Sequence, residues 1–202
     1  MECSAPQTVF HFEAWKQTAD EVGAPFDETI NMKLRGVSRM ESLEIILSGS
    51  SKTFTDAEKE RLATEKNDRY RKLLAQMSPA DMPAAVRDAL TALHNAGLKL
   101  AVGSSSKNAA YILERLDANR YFDAVCDGTM IAHSKPDPEV FTKAAAMVGL
   151  APADCLVVED AAAGLEAARA GGMDCAIVGT APMPFEPTYH MQDVTKLPGT
   201  IL

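Results

Sequence analysis

The chain has 202 residues, 47% of them hydrophobic, with a formal net charge of −8 and an isoelectric point near 5.0. That length suits one core plus a small inserted unit, and the acidic balance argues against a nucleic-acid surface or an anionic membrane face as a partner. No apolar stretch is long enough to span a bilayer and no charged-then-apolar leader opens the sequence, so a cytoplasmic protein is expected. The four cysteines, Cys3, Cys126, Cys155 and Cys175, form no CxxC pair. Three lie in or beside apolar runs, where they read as small buried side chains in a reducing setting.

From about Thr8 to Met77 the pattern is helical. "TVFHFEAWKQTADEVG" carries Val9, Phe12, Ala14, Trp15 and Ala19 at helical spacing and stops at Gly23. "SRMESLEIILSG" follows, with Ser38 and Glu41 in the capping-box arrangement. "TDAEKERLATEKNDRYRKLLAQM" is a long charged helix offering Leu62, Tyr70, Leu73 and Leu74 to one face. After Met77 the reading alternates. "AAVRDALTALHNAG" is a helix, "LKLAVG" a strand, "SKNAAYILERLDA" a helix, "FDAVC" a strand and "PEVFTKAAAMVGL" a helix. "CLVVE" is then a strand, "DAAAGLEAARAGG" a helix and "DCAIVG" a strand. The alternation predicts an α/β fold with a Rossmann-like parallel sheet over residues 79–202, preceded by a helical bundle over residues 8–78.

Ligands of such sheets gather at the carboxyl ends of the strands, so polar residues there carry the functional signal. Ser104, Ser105, Ser106, Lys107 and Asn108 follow one strand and lead into a helix. They are either ordinary N-capping residues or an anion site built from hydroxyls and free N–H groups. Lys135 lies in "HSKPDPEVF", either as a solvated charge or as a phosphate ligand held by the flanking prolines. Glu159 and Asp160 end an apolar strand side by side. Asp160 as a helix cap would leave Glu159 unexplained. Together the acids suit a hard cation such as Mg²⁺, whose charge would remove their mutual repulsion.

Ser104 in "AVGSSSKN", Lys135 in "HSKPDPEVF" and "VVEDAAAGLEAARAGG" resemble the second, third and fourth motifs of the haloacid-dehalogenase phosphotransferase superfamily. "HFEAWKQTADEVG", "LRGVSRMESLEIIL", "EKNDRYRKLL" and "SPADM" resemble the cap domain of its β-phosphoglucomutase group. The resemblance implies interconversion of β-D-glucose 1-phosphate and β-D-glucose 6-phosphate through glucose 1,6-bisphosphate and an aspartyl phosphate, with Mg²⁺, by a monomer. It assigns Ser104 and Lys135 to the transferring phosphoryl group, and Glu159 and Asp160 to the metal. Arg39 would grip the second phosphate, with Gly36, Val37 and Ser38 lining the loop. His11, Trp15, Lys66 and the stretch from Ser105 to Asn108 would complete the pocket. Trp15 has an alternative as simple helical core, Lys66 as a solvated charge and His11 as a structural histidine.

The N-terminal stretch "MECSAPQTVFHF" departs from the family's Asp-x-Asp-Gly strand. Only Glu2 precedes Glu13 among acids, and Asp20 and Asp27 lie within or after the first helix. A smaller departure is "MPAAV" after "SPAD", where relatives carry Pro-Gly. The first core strand and the nucleophile are therefore expected to be missing, leaving an N-terminally truncated form that does not turn over alone. A sugar-phosphate phosphatase and a non-catalytic phosphosugar-binding relative are the alternatives.

Overall fold

A computed structural model of the chain describes residues 6–179 and 183–202. Cys3 and the opening Met1–Ala5 segment fall outside them. Four helices come first. Helix α1 (Pro6–Val22) buries Ala14, Trp15, Thr18, Ala19 and Val22, an apolar stripe at helical period. Helix α2 (Glu28–Lys33) starts at Asp27, whose Oδ1 accepts from the Ile30 N–H at 2.8 Å. Helix α3 (Arg39–Leu47) opens with the expected Ser38–Glu41 capping box, and α4 (Asp56–Leu74) with a second one from Thr55 and Glu58. Trp15, Leu43, Ile46 and Leu62 meet in the core of this helical unit.

The alternating half runs α5 (Ala84–Asn95), β1 (Ala101–Gly103), α6 (Ala109–Arg115), β2 (Ala124–Cys126) and α7 (Glu139–Met147), followed by β3 (Leu156–Glu159), α8 (Ala162–Ala170), β4 (Asp174–Val178), β5 (Tyr189–Met191) and α9 (Leu197–Ile201). All strand pairings are parallel. Side chains divide with the two-residue period of a strand. Val157, Cys175 and Ile177 pack with Val140, Phe141 and Leu165 on the α7–α8 face. Leu156, Val158, Ala176 and Val178 pack with Leu93 and Leu197 on the α5–α9 face. Cys126 and Cys175 are buried free thiols and Cys155 is a half-buried one.

The strand expected over "LKLAVG" is shorter than its apolar run, covering only Ala101–Gly103. Leu100 continues the pairing through Asp123, which receives its N–H on Oδ2 at 2.9 Å and donates back to its carbonyl at 2.7 Å. The sheet is divided into β1–β2 and β3–β4–β5. Among the described residues neither β1 nor β3 has a partner on the side facing the other. Unpaired strand edges in a sheet interior are costly, and here both edges border the same cleft.

Arg115 and Arg71 help to fasten the helical unit to the α/β half. The Arg115 guanidinium of α6 donates to the carbonyls of Met77 and Ala75, each at 3.0 Å. Arg71 of α4 lies 4.5 Å from the Tyr111 ring centroid and donates to Asn108 Oδ1 at 3.4 Å.

Candidate active site

Between the helical unit and the strand ends lies a cleft of about 1090 Å³. Its α/β wall begins at Ser104, whose N–H donates to the Cys126 carbonyl at 3.0 Å and so continues the β1–β2 ladder. Beyond it the chain turns on its own hydroxyls. The Ser106 N–H donates to Ser104 Oγ and the Asn108 N–H to Ser106 Oγ, each at 3.2 Å. Ser105 Oγ is buried without a hydrogen-bond partner. The α6 helix that follows is capped at Asn108 with no side-chain bond, so the serines shape the loop and do not cap the helix.

Lys135 stands on the loop between β2 and α7. Glu139 braces that loop by accepting the N–H groups of Ala132 at 2.9 Å and His133 at 2.8 Å. Hydrogen bonding from Lys143, and then from these N–H groups, pulls the Glu139 carboxyl down to about 2. Lys135 is 5% exposed, and its Nζ lies 4.4 Å from the Phe141 ring centroid. The ammonium donates to Glu159 Oε1 at the end of β3.

That ion pair answers the problem posed by the adjacent acids without a metal. Glu159 turns inward to Lys135, and its other oxygen accepts the Asp160 N–H at 3.2 Å. Asp160 turns outward, with Oδ2 3.8 Å from Arg35 of the helical unit. The helix cap considered for Asp160 is not formed: α8 begins after Ala161 and has no side-chain cap. Gly164 in α8 makes the inward turn of Glu159 possible, because a Cβ there would overlap the Glu159 side chain. Glu159, one of the two acids expected at a metal, is here engaged by Lys135 and by the Asp160 N–H. Among the described residues no cluster of three acidic, histidine or cysteine side chains forms a metal cage. The arrangement fits Mg²⁺ only as an open site with Asp160 as one carboxylate, since this ion keeps waters and takes substrate phosphate oxygens as further ligands.

The helical wall is cationic and aromatic. Gly36, at φ +82°, lets the loop before α3 lie against the Lys135 and Ala163 side chains. Val37, Ser38 and Arg39 follow it along the cleft, with His11 and Lys66 deeper in. Burial and then the nearby Lys66 and Arg39 hold His11 at about 3, so its imidazole is neutral at ordinary pH. Burial likewise lowers Arg39 from its usual value. Trp15 is placed differently from the expectation. It is 0% exposed, packs in the helical core behind the lining, and meets His11 edge-on at 6.2 Å.

Ser104, Lys135, Asp160 and Arg39 therefore face one cavity, together with His11, Gly36 to Ser38, Lys66 and Ser105 to Asn108. The Asn108 side chain is engaged, donating to Asn67 Oδ1 at 2.9 Å while receiving from Arg71. Arg35 and Asn67 line the cleft but were not singled out from sequence. Arg35 is adjacent to the "GVSR" loop, while Asn67 carries no local signal beyond following Lys66.

The haloacid dehalogenase-like hydrolase model matches residues 8–172, which include Ser104, Lys135 and the acid pair. The chain belongs to that family. Within it, the chain is 42% identical to the β-phosphoglucomutase of Bacillus subtilis over 84% of its own length and 76% of the relative's. It is 30% identical to a phosphorylated carbohydrates phosphatase of Thermotoga maritima, over 81% and 74% of the two chains. The crystal structure of β-phosphoglucomutase from Clostridium difficile superposes with a TM-score of 0.81 at 32% identity, covering 90% of this chain and 85% of that one. As a haloacid dehalogenase-like protein and a β-phosphoglucomutase homologue, the chain has the α/β architecture anticipated from its alternating pattern.

Proposed function

We propose that this chain supplies the phosphosugar site of a β-phosphoglucomutase-type phosphotransferase, with the helical unit acting as a cap over the strand ends. The observation that supports the reading is that both walls of one cleft carry groups of the kind that can hold phosphate. Ser104 and Lys135 stand on the α/β wall, and Arg39 stands on the helical wall. A sugar carrying phosphate at either end fits between two such groups, and a guanidinium grips a phosphate through paired donors.

Each side chain then has a definite task. Lys135 spends one of its three donors on Glu159, leaving donors for the ester oxygens. Ser104 offers a hydroxyl beside it. Glu159 holds the ammonium in place, and the Gly36–Arg39 loop closes over the sugar and excludes water, which favours transfer to sugar over hydrolysis. Mg²⁺, when bound at Asp160, would neutralise charge on the transferring group.

Transfer also needs a carboxylate that accepts the phosphoryl group. No Asp-x-Asp pair occurs in the 202 residues. Of the carboxylates that line the cleft among the described residues, Glu159 is engaged by Lys135, Asp160 is assigned to the cation, and Glu60 belongs to the helical wall. The reading is therefore of a chain that binds and neutralises the ester, with no detectable mutase turnover by itself. Calorimetry with β-glucose 1-phosphate and glucose 6-phosphate, with and without Mg²⁺, tests it. Binding that Arg39→Ala weakens about 10- to 100-fold is expected for loss of charge-assisted hydrogen bonds; absence of binding to either ester would refute the reading. The phosphatase similarity favours a second reading as a sugar-phosphate phosphatase, which release of inorganic phosphate from the same esters would establish.

A further inference from the structure

Strands β1 and β3 each present an edge that no strand pairs among the described residues. The Ser104 N–H donates to the Cys126 carbonyl of β2. By the alternation of a strand, Ala101 and Gly103 therefore turn their N–H and C=O groups the other way, to the unpaired edge. Neither edge is defended against pairing: Ala101–Gly103 holds no charge or proline, and β3 holds none before Glu159 at its end. Strand β1 is also more open than the strand it pairs with. Ala101 is exposed and Val102 half-buried, while Ala124 and Cys126 of β2 are buried. Leu156 and Val158 of β3 are likewise only half-buried, although a parallel strand between helix layers is ordinarily covered on both faces. The cleft does not stop at the strand ends. It touches Val102 and Val158 and reaches Val178 and Val194 of the α5–α9 cluster.

We propose that these two edges receive one extended peptide strand from a partner, inserted parallel to β1 and β3, which joins β1–β2 and β3–β4–β5 into a single sheet. Its backbone takes up the bonds that Ala101 and Gly103 offer on one side and those of β3 on the other. The walls set its side chains. Leu156 and Val158 pack on the α5–α9 face and Val157 and Phe141 on the α7–α8 face, so the strand is covered on both faces and is a near-continuous run of Val and Ile. Its apolar part matches the four residues of β3. Charge sets its direction. The cleft beyond the strand ends is bordered by five lysines and arginines, Lys135 and Lys107 among them, against three acids. The strand therefore carries an acidic residue at its carboxyl end. The inference stands apart from the ester reading, because it concerns the strand edges and the ester lies beyond the strand ends.

The test is calorimetry and amide hydrogen exchange of the whole chain with the peptide acetyl-Lys-Lys-Val-Ile-Val-Val-Ile-Asp-amide, whose lysines keep it soluble, and with no sugar phosphate present. Saturable one-to-one binding is expected. At a peptide concentration about 100 times its Kd, exchange at Ala101 and Gly103 should slow about 100-fold, and at Val102, whose N–H already faces β2, much less. A peptide with the aspartate moved to the amino end and the lysines to the carboxyl end should bind about tenfold more weakly; equal affinity would overturn the parallel insertion. Ala101→Pro removes one edge donor at the first residue of β1, where proline is tolerated. It should weaken binding about two- to tenfold and leave the unfolding midpoint unchanged; an unchanged affinity would overturn the pairing with β1. Absence of peptide binding would overturn the inference and leave the ester site standing. Self-association of the chain that protects the same two amides would overturn it in favour of a second copy.

Discussion

Lys135 and Glu159, 24 residues apart in the chain, form a buried ion pair whose side chains are 6% and 11% exposed. The pair joins the loop after β2 to the end of β3, and so links two sheets that share no strand ladder among the described residues. Removing one partner of a buried pair leaves an uncompensated charge, which costs ~3–5 kcal/mol. Lys135→Met is expected to lose that much stability in urea unfolding. Lys135→Met combined with Glu159→Leu should recover most of the loss; a double variant no more stable than the single one would show that the pair is not the source.

Gly164 is required by the same contact. A methyl group there would meet the Glu159 side chain, whereas one at Gly199 would meet open space. Gly164→Ala should therefore destabilise the fold by ~1–3 kcal/mol, as overpacking does. Gly199→Ala should leave the unfolding midpoint unchanged or slightly raised, and equal effects at the two positions would contradict the close approach.

The Arg35–Asp160 pair should compete with the cation proposed for Asp160. At 3.8 Å, and with side chains 42% and 68% exposed, it is a screened surface pair. Such pairs contribute ~0.2–1 kcal/mol, so Arg35→Ala should tighten Mg²⁺ or Mn²⁺ binding by about two- to five-fold. Lys52→Ala, which removes an exposed charge elsewhere, should change it less. Cation titration by calorimetry reads the difference, and equal affinities in the native chain and Arg35→Ala would exclude the competition.

His11 predicts an acid-labile fold. Its folded value of about 3 lies below the unfolded 6.5, so between those limits the unfolded chain binds a proton that the folded chain does not. Stability from this group is complete above pH 6.5 and is lost as pH falls, by up to about 1.4 kcal/mol per pH unit. His11→Phe, which keeps an aromatic ring between Trp15 and Tyr70, should flatten the decline between pH 6.5 and pH 4 in chemical denaturation. An unchanged slope would mean that His11 is not the titrating group.

Local physics explains why much of this was legible from residue order. Helices α1, α3 and α4 carry long apolar stripes or capping boxes that depend only on neighbours within a turn. The alternation after Met77 marks β1 to β4 because each strand is an apolar run between helices. Helix α2 has six residues, too few for a period, and only Asp27 before it hints at a start. Strand β5, "YHM", exposes Tyr189 and His190 and buries only Met191, so no apolar run announces it. The gathering of Ser104, Lys135 and the acid pair follows from the strand-end rule. What each acid does is set by partners far along the chain: Lys135 draws Glu159 inward, and Arg35 faces Asp160. Trp15 shows the converse, since its helical spacing fits core and cleft equally well and only packing decides.

The most direct test is a crystal structure of the chain with glucose 1,6-bisphosphate bound. One phosphate should lie within hydrogen-bond reach of Ser104 and Lys135, and the other within reach of Arg39, with the sugar between the two walls. A bisphosphate seated elsewhere on the molecule, or held by only one wall with the other phosphate in solvent, would contradict the account.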